Sequence, residues 1–273
     1  MQDRRKKDIR RTAASFREKC KVSRYGVIDL FNECERLGYK LIRYPLGENA
    51  DLGFTLRKDQ DIVIFTNSCS RLSREIFTLA HEIGHAMLHI DDMQSFIDDS
   101  ITIAGRSTDE KEQEANYFAA CLLMPDDEVE RFFDLELLTY EKSDLSAIDI
   151  AKIMSEFNVS FDMALNRLET LGKIDNNQKA RLDNERNEKR VGNLLRSAGG
   201  NARLNEASEE IEIPFEYIDY VIYNYNCNAI PIETLEKVLE CYQLSIDDIS
   251  DRLVEHKEES GDDLNDLIRG LED

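Results

Sequence analysis

Tryptophan is absent from this 273-residue chain, histidine and proline are scarce, and basic residues are outnumbered by acidic ones. There are four histidines and four prolines, and 35 Lys and Arg stand against 56 Asp and Glu, which gives a net charge of −21. A surface this acidic repels nucleic acid and favours basic partners. The composition therefore argues against direct nucleic-acid binding.

Long apolar runs are also missing. No stretch reaches the length that a membrane span needs, and the charged start Asp3-Arg4-Arg5-Lys6-Lys7 is followed by no apolar core of a secretory signal. The six cysteines include no Cys-x-x-Cys pair, which argues against a structural zinc bound by cysteines. We expect a cytoplasmic protein with reduced thiols and no membrane association.

Basic residues are in excess in one place, the first 24 residues, where ten Lys and Arg stand against three acidic side chains. Ile9, Ala13, Phe16 and Cys20 recur there at helical spacing, which predicts an amphipathic helix over 3–24. We interpret its basic side as a solvated face, with a surface for nucleic acid or for an acidic partner as the alternative.

The patterns that follow predict an α+β fold that is mostly α. A helix over 27–37 ends before Gly38. Three short strands are predicted, at Lys40–Tyr44, Gly53–Arg57 and Asp61–Phe65. The third contains the β-branched run Ile62-Val63-Ile64, so we expect it at the centre of a small sheet. A helix from Ser68 or Ser70 to Ile90 and another from Ser107 to Met124 flank a polar loop at 91–106, and Pro125 stops the second helix.

The remainder of the chain reads as helical. Predicted helices at Ile148–Phe157 and Ser160–Leu171 flank a short turn, which resembles a helix-turn-helix. Residues 143–172 hold two basic and five acidic side chains, so we interpret this pair as a packing or partner-docking element and not as a DNA reader. The predicted domains are 1–125, a helical segment at 126–172, a charged and partly helical linker at 173–205, and a small acidic helical domain at 206–273.

Three of the four histidines fall within 77–89, where His81-Glu82-x-x-His85 occurs. Positions i and i+4 share a helix face, so both imidazoles can reach one zinc ion while Glu82 beside them is free to act as a base. The opposite face of this helix is apolar and predicts a core contact. Gly84 lies between the two histidines at a cost of about 1 kcal/mol in helix propensity, which predicts close approach of another backbone.

Two histidines leave a catalytic zinc short of one protein ligand. His89 is one turn further along the same helix, too far to complete a tetrahedron, and is better placed as a residue of the cleft. The downstream helix offers Glu112 and Glu114, which point about 200° apart, so only one of them can face the metal. Leu88 and Asp91 stand where metzincins need Gly and His, which excludes that class.

Two motifs together resemble the ImmA/IrrE metallopeptidases of bacteria and their mobile elements. The first is Phe77-Thr78-Leu79-Ala80-His81-Glu82-Ile83-Gly84-His85, and the second is Glu112-x-x-Ala115-Asn116-x-Phe118-Ala119-Ala120-x-Leu122-Leu123-Met124-Pro125. The resemblance covers about residues 25–172. It implies a minimal zincin-like (thermolysin-like) fold with Zn²⁺ as cofactor, and it makes Glu112 the third metal ligand.

The activity that the resemblance implies is cleavage of a helix-turn-helix repressor, which would derepress a mobile-element or stress regulon. Asn116 shares a helix face with Glu112 and is a candidate to orient the ligand or its neighbour. His89 and Tyr117 are candidates for the donor that stabilises the oxyanion. The alternative is a zinc-containing regulator that sequesters a repressor without cutting it. Nothing in the sequence indicates an oligomeric state.

Overall fold

The computed structural model describes residues 1–47, 50, 52–58, 60–90, 110–137 and 145–254. The chain divides into two units, Met1–Ile213 and Pro214–Asp273. In the first unit the described helices are α1 (Asp3–Arg17), α2 (Leu30–Arg36), α3 (Leu72–Leu88), α4 (Glu110–Leu123), α5 (Asp126–Glu136), α6 (Ala147–Phe157), α7 (Phe161–Thr170), α8 (Asn176–Lys189) and α9 (Val191–Ser197). The predicted fold class, α+β and mostly α, is confirmed.

Three strands form one small mixed sheet: β1 (Lys40–Tyr44), β2 (Gly53–Lys58) and β3 (Asp61–Asn67). Their order is β1-β3-β2, with β1 parallel and β2 antiparallel to β3. The β-branched run therefore lies on the central strand, as predicted, where Ile64 pairs with Leu41 on one side and with Thr55 on the other. This arrangement leaves β2 at an edge of the sheet.

The long predicted helix corresponds to α3, which packs against the sheet and against α4. Its residues Ile76, Leu79, Ala80 and Ile83 are buried in the core, as their helical spacing predicts. The start of α4 is described from Glu110, so the predicted cap at Ser107 and the loop at 91–106 lie outside the described residues. At its other end α4 stops before Pro125, which begins α5.

The N-terminal helix is shorter than predicted, because α1 ends at Arg17 and not near residue 24. Its apolar side, with Ile9, Ala13 and Phe16, is buried in the core. Arg5 donates from Nε to Glu114 of α4 at 2.7 Å, and Arg10 donates to Asp126 of α5 at 3.1 Å. These two cations of the basic segment therefore find their acidic partners inside the same chain.

Residues 173–205, predicted to be a charged and partly helical linker, hold α8, α9 and a 3₁₀ turn at Ala202–Asn205, and they belong to the first unit. Leu182, Leu194, Leu195 and Leu204 are buried in the core of the first unit. The composition was misleading because α8 consists mainly of polar and charged residues, and Leu182 is its one buried residue. The 126–172 segment carries the predicted helix pair as α6 and α7, joined by a turn in which Asn158 adopts a left-handed conformation with φ +54°.

The 206–212 segment adds an extended piece beside the sheet and α3. The Leu72 amide donates to the Glu206 carbonyl at 2.8 Å, and Arg43 and Glu212 exchange two backbone hydrogen bonds of 2.8 and 2.9 Å. Beneath it, Glu75 of α3 is fully buried and accepts from Arg43 Nε at 2.9 Å, from Arg43 Nη2 at 3.1 Å, from Thr66 at 3.0 Å and from Ser208. This buried ion pair fixes the N-terminal end of α3 to β1, β3 and the 206–212 segment.

The second unit contains α10 (Tyr217–Asn226), α11 (Ile232–Cys241) and a 3₁₀ helix at Asp247–Arg252. It has its own small apolar core, built around Leu235 and Leu239. Among the helices in the described part of the chain, none combines the length and apolarity needed to cross a membrane.

Candidate metal centre

The candidate centre lies where α3 and α4 come into close contact. A Cβ added to Gly84 would sit 3.1 Å from the Phe118 ring and 3.2 Å from the Cα of Ala115. The close approach predicted for Gly84 is therefore confirmed. It allows a carboxylate on α4 to reach two imidazoles on α3.

His81, His85 and Glu112 form one cluster, and a ligand atom from each lies within 4.8 Å of the others. The two histidine Nε2 atoms are 3.0 Å apart, and each is 3.2 Å from an oxygen of Glu112. Tetrahedral zinc with bonds near 2.05 Å separates its ligand atoms by about 3.3 Å. The donor set and its spacing thus fit a small tetrahedral metal ion.

The protonation of His81 also fits a metal ligand. Its Nδ1 lies 3.0 Å from Oδ1 of Asn116, so the ring hydrogen is on Nδ1 and donates to the amide oxygen. The lone pair of the neutral ring is then on Nε2, the atom that faces His85 and Glu112. Such outer hydrogen bonds fix the tautomer and orientation of metal-ligating histidines. The structure thus gives Asn116 a defined contact, with a histidine rather than with Glu112.

The two candidate glutamates on α4 point to different partners. Glu112 faces the two histidines, with a carboxylate oxygen 3.2 Å from the Nε2 atom of each. Glu114 binds Arg5 of α1, and this hydrogen bond lowers the pKa of the Glu114 carboxyl. The geometry brings Glu112 to the cluster and directs Glu114 away from it.

Glu82 is buried beside the cluster, with 2% of its surface exposed. Thr55 of β2 donates to Glu82 Oε2 at 2.8 Å, while Oε1 is buried and has no hydrogen-bond partner among the described residues. Burial raises the pKa of this carboxyl, an effect that the nearby histidines His81 and His85 oppose. The side chain therefore presents one oxygen that is held and one that is available for a proton.

The contact between Thr55 and Glu82 depends on a close approach of β2 to α3. A Cβ added to Gly53 would sit 2.5 Å from Thr78 and 2.8 Å from the Phe65 carbonyl oxygen. Sequence reasoning did not identify Thr55, since no local pattern indicates a contact between residues 27 positions apart. The small residue at 53 is the one signal that could have suggested it.

The remaining sequence candidates lie at the margins of the centre. His89 is buried and packs against His85 with ring centroids 5.5 Å apart, and its Nε2 is 3.7 Å from Glu114, not from the cluster. Tyr117 is half-buried next to Asn116, and burial, aided by Cys121, raises the pKa of its hydroxyl to about 12. Neither residue joins the ligand cluster.

Comparison with known proteins agrees with the geometry. A search of curated proteins returns no match to the chain. A family model, Peptidase_M78, described as the IrrE N-terminal-like domain, matches residues 34–169. That range contains the sheet, α3, α4 and the α6–α7 pair, and hence every residue of the cluster. Through residues 34–169 the chain therefore belongs to the IrrE N-terminal-like peptidase family.

Proposed function

We propose that this protein is a cytoplasmic zinc-dependent endopeptidase that hydrolyses a bond in a specific protein partner. The observation that carries the proposal is the cluster of His81, His85 and Glu112 beside a buried carboxylate, Glu82, with one unpartnered oxygen. A family that matches 34–169 supports a peptidase acting on protein.

Zinc is the metal that we propose, because two imidazoles and one carboxylate make up a ligand set used by catalytic zinc. The fit rests on the donor spacing and on the His81 tautomer described above. When bound, zinc would supply a Lewis acid for the scissile carbonyl and lower the pKa of the attacking water.

Residues of the chain then transfer the proton of the attacking water. Glu82 accepts the proton of the attacking water at Oε1 and delivers it to the leaving amine, while Thr55 holds Oε2 in place. Because burial raises the pKa of Glu82, the carboxyl can hold a proton between these two transfers. Asn116 keeps His81 in the required orientation.

An extended substrate segment has a natural place beside β2. In the described part of the chain β2 pairs with β3 alone, and it is the strand that carries Thr55 to Glu82. A peptide that adds to the other edge of β2 would use main-chain hydrogen bonds, a common mode of peptide recognition. Such a strand would bring its carbonyl groups past the metal cluster.

The partner that we propose is a helix-turn-helix transcriptional repressor, whose cleavage would derepress a mobile-element or stress regulon. The support is the resemblance of the two motifs to the ImmA/IrrE metallopeptidases. The test is incubation of the zinc-loaded protein with the repressor encoded by a neighbouring gene, followed by mass spectrometry of the products.

The matched control for that experiment is Glu82→Gln, which removes the base but no metal ligand. We expect defined fragments with the unaltered chain and an intact repressor with the variant. Fragments of equal yield with Glu82→Gln would contradict the mechanism. Tight binding of a repressor that stays intact would favour a regulator that sequesters its partner.

A further inference from the structure

A groove of about 1210 Å³ runs along the first unit beside the metal centre. Phe77 and Asn116 line it, and both contact His81, the first by ring packing and the second by its hydrogen bond. Met163 and Asn166 of α7 also line it. The groove therefore adjoins the metal centre through these two residues.

The charge of this groove is opposite to that of the chain. Five basic side chains line it, Lys6, Arg71, Arg74, Arg167 and Arg186, against one acidic side chain, Asp162, among the described residues. The chain as a whole carries a net charge of −21. A basic groove in so acidic a protein concentrates the attraction for anions at one place.

Three of these cations have no acidic partner among the residues that the structure describes. Arg167 binds Asp126 and Arg186 binds Asp162, so these two have internal partners. By contrast, no described residue forms an ion pair with Lys6, Arg71 or Arg74. The side chains of Arg71 and Arg74 are exposed. Because no described acidic residue neutralises them, these cations could pair with an incoming negative group.

Fold stability does not account for Arg71 and Arg74. Arg71 is the N-cap residue of α3 and makes no side-chain capping hydrogen bond, and Arg74 lies in the first turn. Cations at this end of a helix oppose the helix dipole and are unfavourable. Arg74 also lies two turns before His81 on the same face of α3. An anion bound between the two arginines would reverse that cost.

We propose that this groove binds an acidic segment of the protein substrate and so selects scissile bonds flanked by Asp or Glu. This inference rests on the proposed peptidase function and specifies its substrate class. A polypeptide fits better than nucleic acid, because the groove adjoins the peptidase cluster while the remaining acidic surface repels a long polyanion. The acidic residues of the substrate lie in the part of the bound segment that passes over the N-terminal turns of α3.

The test is a binding measurement by fluorescence anisotropy with the zinc-loaded full chain carrying Glu82→Gln, so that no peptide is consumed. The probes are a labelled glutamate-rich peptide and its glutamine counterpart. We expect the glutamate peptide to bind at least about tenfold more tightly, the equivalent of about 1.4 kcal/mol shared by two or three ion pairs. Raising the salt concentration should remove the difference.

Charge reversal locates the effect. The double variant Arg71→Glu, Arg74→Glu should abolish the preference for the glutamate peptide. The double variant Arg71→Gln, Arg74→Gln, which perturbs folding less, should reduce this preference at least about threefold. The matched control is Arg11→Glu with Lys19→Glu, which makes the same change in net charge at exposed positions outside the groove and should keep the preference. Circular dichroism verifies that each variant is folded.

Three results would overturn the inference: equal binding of the two peptides, a preference that survives both groove variants, or displacement of the peptide by a single-stranded oligonucleotide of equal charge at lower concentration. Cleavage of the same peptides by the unaltered chain, followed by mass spectrometry, separates this inference from the proposed function. Charge-dependent binding without cleavage would contradict the peptidase alone, and cleavage without charge preference would contradict the groove alone.

Discussion

Replacing Glu75 with glutamine should destabilise the first unit by about 3 kcal/mol, because it leaves a buried cation without its main partner. The Glu75 side chain is fully buried, and that of Arg43 is 9% exposed. Two hydrogen bonds of 2.9 and 3.1 Å join the guanidinium to the carboxylate, and each loses its charge assistance in the variant. Glu212, 3.4 Å from Arg43, remains as a weaker counter-ion, so the loss falls at the lower end of the 3–5 kcal/mol range for broken buried pairs.

The assay is urea unfolding followed by far-UV circular dichroism, since the chain has no tryptophan to report by fluorescence. Glu212→Gln is the matched control, because it makes the same chemical change on the more exposed partner of the same arginine and should cost at most about 1 kcal/mol. Arg43→Met combined with Glu75→Gln should cost less than the sum of the two single changes, since no unpaired charge remains. Equal effects of Glu75→Gln and Glu212→Gln would refute the assignment of Glu75 as the anchor of α3.

Three further predictions concern the centre and the helices around it. Asn116→Ala should weaken zinc binding about 10–100-fold, measured by competition with a chelator, because a ligating histidine loses the group that orients it; unchanged affinity would contradict that role. Gly84→Val should destabilise the protein by about 1–3 kcal/mol in thermal unfolding and also weaken zinc binding, because its side chain would force α3 and α4 apart; unchanged stability and affinity would show that the helices can separate freely. Burial raises the pKa of Asp149, but hydrogen bonds from Lys152 and Ser146 outweigh this and hold it below its ordinary 3.8. Its contribution to stability is therefore present above that pH and lost as the pH falls further, so Asp149→Asn should flatten the acid side of the stability profile, and an unchanged profile would contradict this.

Local sequence patterns predicted much of the fold and of the candidate site. The strands, the helices α3 and α4, and the reason for Gly84 follow from hydrophobic periodicity, from a helix-stopping proline and from the His81-Glu82-x-x-His85 spacing. These features depend on residues a few positions apart, or on a face that one helix must bury. The choice of Glu112 over Glu114 needed the resemblance to a family, and the structure shows the same choice as a difference in partners.

Contacts between distant segments could not be predicted in the same way. Thr55 meets Glu82 across 27 positions, and Ser208 meets Glu75 across 133. The order β1-β3-β2 makes the first contact possible, and the 206–212 segment makes the second. Residues 173–205 resembled a linker because α8 consists mainly of polar and charged residues and contributes one leucine to the core. A composition average conceals such a single buried position.

The metal content of three versions of the chain tests the central claim most directly. After equilibrium dialysis against zinc, elemental analysis should find one zinc ion per unaltered chain and one per Glu114→Gln chain. Glu112→Gln, the same change two residues earlier on α4, should lose zinc affinity by more than the 10–100-fold that an outer partner costs, because it removes a charged ligand of the cluster. Zinc retained equally by Glu112→Gln, or lost equally by Glu114→Gln, would contradict a centre built from His81, His85 and Glu112.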